Sequence, residues 1–134
     1  MPANETYPTL VRDAIYNPGE RRHFMRVVPA AANYRVETKT GQVLAQSSDA
    51  LVCKEVGRDI YDPVVYFSRD DVAMDQLTRT DKTTHCPLKG DTEYFDLAEG
   101  SEAIAWSYVS TIPDAAILKD LVAFDASQVR LVRE

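Results

Sequence analysis

The sequence lacks any long apolar run, and it holds only two cysteines, five glycines and one tryptophan. Without a stretch of about 18 apolar residues, no transmembrane helix is expected. Residues 1–13 are polar and acidic, without a basic segment followed by an apolar one, so we expect no secretory signal and a cytoplasmic protein. The 15 Lys and Arg against 21 Asp and Glu give a formal charge of −6. This balance disfavours nucleic acid as a partner, because such binding depends on excess positive charge.

The cysteines and histidines are too few and too scattered for a structural metal site. Cys53, Cys86, His23 and His85 include no closely spaced cysteine pair of the kind that zinc sites use, so we predict no metal. In the cytoplasm both thiols are expected to stay reduced. The glycines stand apart and form neither a Rossmann nor a P-loop phosphate loop, so we predict no cofactor.

The length of 134 residues suits one compact domain. Residues 1–30 contain four of the seven prolines and few periodic apolar positions. We therefore predict an N-terminal extension over residues 1–30 and a single domain over residues 31–134. The extension is expected to wrap around the domain or to pair with a second subunit.

From residue 34 onward, short segments alternate apolar and polar side chains and end at turn residues, as in a mainly β fold. Thr40 and Gly41 mark a hairpin, because a tight turn needs a residue with positive φ. The best helix candidate spans residues 113–121, with Pro113 at its first position. No βαβ unit is present, and the spacing is typical of a small barrel or sandwich. The predicted strands are residues 34–38, 42–45, 50–56, 64–67, 92–97, 103–109, 122–124 and 129–132.

A first group of candidate functional residues follows the predicted strand 64–67. Arg69 has the planar fork that binds a carboxylate or a phosphate through two hydrogen bonds, and Asp71 is a candidate base. The alternative is a structural helical turn in which Ser68 is the N-cap and Asp71 returns a hydrogen bond.

A second group is the segment 84–90, which contains His85, Cys86 and Lys89. A cysteine beside a lysine and a histidine has the electropositive surroundings that activate a nucleophilic thiolate. In the alternative interpretation Cys86 is a small buried apolar residue and Lys89 belongs to a turn.

A third group is aromatic. Trp106 and Tyr108 are two residues apart in a predicted strand and therefore share one face. Tyr94, on a neighbouring predicted strand, can join them in a wall that stacks on a planar or cationic ligand. The alternative is an ordinary core that contains the single tryptophan.

Several of these segments occur in the same order as in domain-of-unknown-function family 427, which the chain resembles over about three-quarters of its length, residues 34–132. The most specific blocks are C-P-x-K-G at 86–90 and A-W-S-Y at 105–108. The resemblance implies a small, mainly antiparallel β-tent or barrel-like fold of the kind found in Mss4-like domains, here with about eight short strands and one or two short helices. It implies no zinc, because the paired C-x-x-C knuckles are missing, and no settled activity. A nucleotidyltransferase-like label attaches to the family, but the chain has no G-S motif followed by D-x-D. The segments are residues 43–47, 64–67, 69–72, 84–90, 94–95, 105–108 and 122–124.

Three functions remain open. The favoured one is a pocket for an unknown small molecule, with Lys89 and Arg69 as anion-binding groups and Cys86 as pocket wall or nucleophile. The second is a non-catalytic homodimer formed through the N-terminal extension or an edge strand. The third is an enzyme that depends on Cys86. No nucleic acid or membrane partner is expected. The predicted ligand-binding residues are Arg69, Asp71, His85, Lys89, Tyr94, Trp106 and Tyr108.

Overall fold

The computed structural model describes residues 11–98 and 100–134. In this part of the chain no helix is long and apolar enough to span a membrane. The regular elements are twelve strands and three short 3-10 helices, the latter over Arg69–Asp71, Met74–Gln76 and Pro113–Leu118. The strands are β1 (Ile15–Asn17), β2 (Glu20–Pro29), β3 (Tyr34–Thr38), β4 (Val43–Ser47), β5 (Leu51–Val56), β6 (Val64–Tyr66), β7 (Leu77–Arg79), β8 (His85–Cys86), β9 (Gly90–Leu97), β10 (Ala105–Thr111), β11 (Val122–Phe124) and β12 (Val129–Arg133).

The strands pair antiparallel and form three sheets. One sheet has the order β1-β2-β5-β6, a second has the order β11-β10-β9-β7 with β8 also paired to β9, and a third has the order β12-β3-β4. The sheets built by the described residues do not close into a barrel. The prediction of a mainly antiparallel β fold is therefore confirmed, while the Mss4-like shape stays a prediction.

Each of the eight predicted strands has an observed counterpart, and the four additional strands are β1, β2, β7 and β8. Strands β7 and β8 have only three and two residues, too few for alternation of apolar and polar side chains to be visible in the sequence. Strands β1 and β2 lie in the predicted extension, and β2 pairs with β5 from Phe24↔Val56 to Pro29↔Leu51. Residues 1–10 lie outside the described residues, and the division of the chain at residue 30 stays a prediction.

The predicted hairpin at Thr40 and Gly41 is confirmed. Strands β3 and β4 pair antiparallel, and the Gly41 N–H donates to the Thr38 carbonyl. Gly41 has a φ of 98°, which a residue with a side chain adopts only with strain.

The helix predicted over residues 113–121 is shorter than expected and is a 3-10 helix over Pro113–Leu118. It ends because Lys119 leaves the helical region and Asp120 adopts a φ of 65°. The chain then turns back, so that Lys119 forms a parallel bridge with Tyr108 of β10.

Strand β10 separates two apolar cores. Ala105 packs in the core that contains Phe67, Phe95 and Phe124, whereas Tyr108 packs in the core that contains Met25. This division follows from the strand geometry, since successive side chains point to opposite faces. The second core is completed by Cys53, Tyr66, Leu88, Ala115, Leu118 and Ala123.

Candidate functional site

A hollow of about 330 Å³ lies on the face of β10 that carries Trp106 and Tyr108. Strand pairing places Tyr94 of β9 opposite Trp106, and Tyr66 of β6 adds a fourth ring. We call this cavity the β10 hollow. Its described lining consists of Val64, Tyr66, Lys82, Lys89, Tyr94, Glu102, Ala103, Trp106, Tyr108, Asp125 and Gln128.

The aromatic rings of the β10 hollow are held by packing and by a cation–π contact. Tyr66 belongs to the second core, and Trp106 packs against that core. Burial raises the pKa of both Tyr66 and Tyr108, so their hydroxyls stay protonated at neutral pH. The Lys82 Nζ lies 4.4 Å from the centroid of the Tyr94 ring, a cation–π contact. The hollow therefore combines fixed apolar faces with charge at the rim.

A row of buried polar groups joins the β10 hollow to the first sheet. The Lys89 Nζ donates to Glu55 Oε1, and His23 Nε2 lies 2.7 Å from Glu55 Oε2. The Lys89 and Glu55 side chains are only 8% and 17% exposed. Strand pairing places Glu55 opposite Met25. His23 precedes Met25 by two residues on the same face of β2, so it is a diagonal neighbour of Glu55. Lys89 reaches both from the turn before β9. We call these three side chains the Lys89–Glu55–His23 chain.

Asn17 determines the protonation pattern of His23. The Asn17 Oδ1 accepts from the Gly19 N–H at 2.9 Å, which leaves Asn17 Nδ2 to face His23 Nδ1 at 3.1 Å. An amide nitrogen is only a donor, so His23 Nδ1 is the acceptor. In this arrangement the His23 Nε2–H donates to Glu55 Oε2.

Glu55 is held ionised by this arrangement. Burial alone raises its pKa, but the hydrogen bonds from Lys89 and His23, together with the nearby positive charge, outweigh burial, and the net effect lowers the pKa below its ordinary value of 4.5. A carboxyl whose folded-state pKa is lowered contributes stability above the unfolded-state pKa and loses it as the pH falls through the folded-state value.

We therefore predict that a Glu55→Gln variant is less stable than the wild type at neutral pH and that the difference closes in acid. The difference in the free energy of unfolding is expected to shrink below about pH 4.5, because protonated glutamate and glutamine are nearly equivalent. Urea unfolding of both proteins at a series of pH values measures this difference. A difference that is independent of pH would contradict the assignment of an ionised Glu55.

Four of the seven residues predicted to bind ligand lie together in the β10 hollow, namely Lys89, Tyr94, Trp106 and Tyr108. They come from the turn before β9, from β9 and from β10. Their proximity is a finding, and their role in binding stays a prediction.

Arg69 lies on the other face of β10. Its guanidinium donates to the Asp120 carbonyl at 2.9 Å and to Ser107 Oγ at 3.1 Å, and it stacks on the Phe95 ring. Ser107 points away from the β10 hollow, because it alternates with Trp106 and Tyr108 along the strand. Asp71 belongs to the 3-10 helix Arg69–Asp71, which Ser68 caps by accepting from the Asp70 N–H. The described lining of the hollow includes neither Arg69 nor Asp71.

His85 and Cys86 form the short strand β8 at the edge of β9. His85 Nδ1 lies 2.7 Å from Asp91 Oδ1 in an exposed pair. Cys86 is half-buried against the second core and is likewise not among the described lining residues. The proposed roles of His85 in binding and of Cys86 in catalysis stay predictions. Within residues 11–98 and 100–134, no cluster of three or more His, Cys, Asp or Glu residues is arranged to hold a metal ion.

The two cysteines are free thiols in different surroundings. Cys53 is buried with its Sγ 3.6 Å from the Met25 sulfur, and burial raises its pKa to about 11. We predict that Ellman's reagent modifies Cys86 well before Cys53 in the native protein at about pH 8. Mass spectrometry of the modified peptides measures both rates. The difference in burial would be contradicted if the two cysteines were modified at equal rates in the native protein, and both more slowly than in the denatured chain.

The sequence did not reveal Glu55, His23, Tyr66 and Lys82 as neighbours of the site. His23 follows two arginines in β2 and Glu55 follows Lys54 in β5, so neither stands out from its charged neighbours in the sequence. Only the three-dimensional structure shows that the two side chains meet.

A larger depression of about 620 Å³ lies near the turn after β5. Arg22 pairs there with Glu20 at 2.5 Å, and His23 is committed to Asn17 and Glu55. The described lining of this depression contains none of the predicted site residues, so we place the candidate site in the β10 hollow. The depression is lined by Glu20, Arg22, His23, Gly57, Arg58 and Tyr61.

Comparison with known proteins assigns the chain to a family. A search of curated proteins finds no match. The family model described as Domain of unknown function (DUF427) matches residues 26–134, which include Glu55 and every described residue that lines the β10 hollow. Because the match covers most of the sequence, the chain belongs to the DUF427 family.

Proposed function

We propose that the chain binds a small molecule in the β10 hollow, with a planar part of the ligand against the rings of Trp106 and Tyr94. The observation that carries this proposal is the convergence of segments far apart in sequence. Residues 64–66, 82–94, 102–108 and 125–128 contribute four aromatic rings and two ammonium groups to one cavity.

The size and chemistry of the β10 hollow suit a ligand of one or two rings. Its volume of about 330 Å³ is at the lower end of the range of ligand pockets, roughly 300–1,000 Å³. Trp106 is half-buried, so apolar ring surface remains that a ligand would remove from water. Packing of Trp106 against the second core restricts the indole before a ligand arrives, which lowers the entropic cost of binding.

Binding is favoured over chemistry at Cys86. A nucleophile has to reach a ligand atom directly, and the described lining of the β10 hollow does not include this thiol. The groups that face the cavity are rings, amines, carboxylates and an amide, which are suited to orienting a ligand.

A fragment screen monitored by tryptophan fluorescence tests the proposal. Trp106 is the only tryptophan, so a change in emission reports on its surroundings. Trp106 also borders a second cavity of about 190 Å³, which Tyr94 does not line, so the Tyr94 variant shows which of the two is occupied. We predict that planar fragments alter the emission and that Tyr94→Leu weakens their binding by about twofold to tenfold, since a ring contact contributes about 0.5–1.5 kcal/mol.

The matched control is Tyr61→Leu, because Tyr61 is an exposed tyrosine outside the β10 hollow. Fragment affinity is expected to be unchanged in this variant. The proposal fails if no fragment alters Trp106 emission, or if the two tyrosine variants weaken binding equally.

A further inference from the structure

We infer that the ligand of the β10 hollow carries an anionic oxygen-bearing group, a carboxylate or a phosphate, and that Lys89 binds this group. The inference rests on the proposed function, because it names the chemical class of ligand for the same cavity. It depends on three features of the site: the hydrogen-bonding state of Lys89, its fixed position, and the distribution of charge along β10.

The Lys89 ammonium lines the cavity and has N–H groups that do not bond to Glu55. A lysine ammonium carries three N–H donors. Among the described residues, the carboxylate of Glu55 is its hydrogen-bond acceptor, and the side chain is only 8% exposed. The Lys89 Nζ also lies 5.8 Å from the centroid of the Tyr108 ring, a cation–π contact on one side of the ammonium. A buried donor without an acceptor is unfavourable, so the N–H groups that do not bond to Glu55 favour a ligand that brings acceptor atoms. Lys89 lines the β10 hollow, and a bound oxyanion would supply these atoms.

The Lys89–Glu55–His23 chain fixes the position of this ammonium. Both oxygens of Glu55 are engaged, one by Lys89 and one by His23, and Asn17 in turn holds His23. The ammonium therefore cannot turn away to solvent without breaking a buried ion pair. A donor that is already in place binds an anion without first losing side-chain entropy.

The charges around the β10 hollow are arranged along the strand. Glu102 precedes β10, and Asp125 follows Phe124, which pairs with the first residue of β10. Lys89 is at the opposite end, because the following residue, Gly90, pairs with Thr111. An anion is repelled at the end with the carboxylates and attracted at the end with Lys89. Lys82, above the Tyr94 ring, adds a second positive charge to the lining.

Calorimetric titration with three probes of the same ring tests the inference. Benzoate and phenyl phosphate carry the two oxyanions, and benzamide has the shape of benzoate without its charge. We expect at least one of the anions to bind about 10- to 100-fold more tightly than benzamide, which is the ratio for one hydrogen bond to a charged group. Titration with inorganic phosphate separates a ring-bearing ligand from a free anion, which is expected to bind more weakly than phenyl phosphate.

The double variant Glu55→Gln/Lys89→Met tests the role of Lys89 in a protein without an unpaired buried charge. The preference for the anion over benzamide is expected to fall to less than about threefold, since the charge-assisted hydrogen bond is lost. The matched control is Lys54→Met, which removes an exposed lysine from β5 and is expected to retain the preference.

The outcomes are separable. Benzamide binding as tightly as both anions, or neutral fragments binding where neither anion does, overturns the inference and leaves the proposed function standing. If neither these probes nor any fragment of the screen binds, both the inference and the proposed function are overturned. A preference for the anion that survives in the double variant overturns the assignment to Lys89.

Discussion

Replacing Lys89 with methionine is expected to lower the free energy of unfolding by about 3–5 kcal/mol, the usual effect of removing one partner of a buried ion pair. The ammonium that this change removes is the partner of Glu55, whose side chain is only 17% exposed. Glu55 then keeps the hydrogen bond from His23 but loses the positive charge that balances its own. Guanidinium chloride unfolding followed by circular dichroism measures the loss.

The double variant Glu55→Gln/Lys89→Met is expected to recover most of this loss, because it contains neither buried charge. Lys54→Met is the control for removing a lysine, and it is expected to change stability by less than about 0.5 kcal/mol, as surface substitutions do. If Lys89→Met were as stable as Lys54→Met, Lys89 and Glu55 would not form a buried pair in solution.

Replacing Gly90 with alanine is expected to lower the free energy of unfolding by at least about 3 kcal/mol. Gly90 has a φ of 134°, and an added Cβ would lie 2.1 Å from the Ser110 carbonyl oxygen and 2.7 Å from the Thr111 Cα. These are backbone atoms of the neighbouring strand β10, so no side-chain movement relieves the clash. Strands β9 and β10 would have to separate next to Lys89, and ligand affinity is expected to fall together with stability.

Gly41→Ala separates strain from crowding. Gly41 also has a positive φ, of 98°, but among the described residues no atom outside its chain neighbours lies within 4 Å of the position that a Cβ would occupy. Only the backbone strain remains, and a loss of about 1 kcal/mol is expected. Equal losses for the two alanine variants would show that the close approach of β10 to Gly90 does not limit stability.

The fold was largely predictable from the sequence because most strands are long enough to display alternation. Residues 92–97 and 103–109 each show one apolar face, and Thr40 with Gly41 marks a turn by the chemistry of glycine alone. The helix at 113–121 was predicted too long because helix propensity contains no information about the bridge between Lys119 and Tyr108. Tertiary pairing of this kind outweighs local preference.

The candidate site was only partly predictable. Trp106 and Tyr108 share a face by strand periodicity, so their alignment follows from their spacing. The pairing of Lys89 with Glu55 joins the turn before β9 to β5, 34 positions apart in sequence, and no local pattern specifies it. Arg69 was grouped with the aromatic residues, but it contacts Ser107 on the opposite face of β10. Which face of β10 Arg69 contacts depends on the path of the chain in three dimensions, and the sequence around Arg69 does not specify that path.

Chemical-shift mapping of a bound planar fragment tests the central claim most directly. The spectrum of the ¹⁵N-labelled protein contains a single indole N–H signal, that of Trp106, which lines the β10 hollow. A bound fragment is predicted to shift this signal together with the backbone amides of Tyr94 and Tyr108, and to leave the amides of Gly57 and Tyr61 unchanged. Shifts confined to Gly57 and Tyr61, with the Trp106 signal unmoved, would contradict the account.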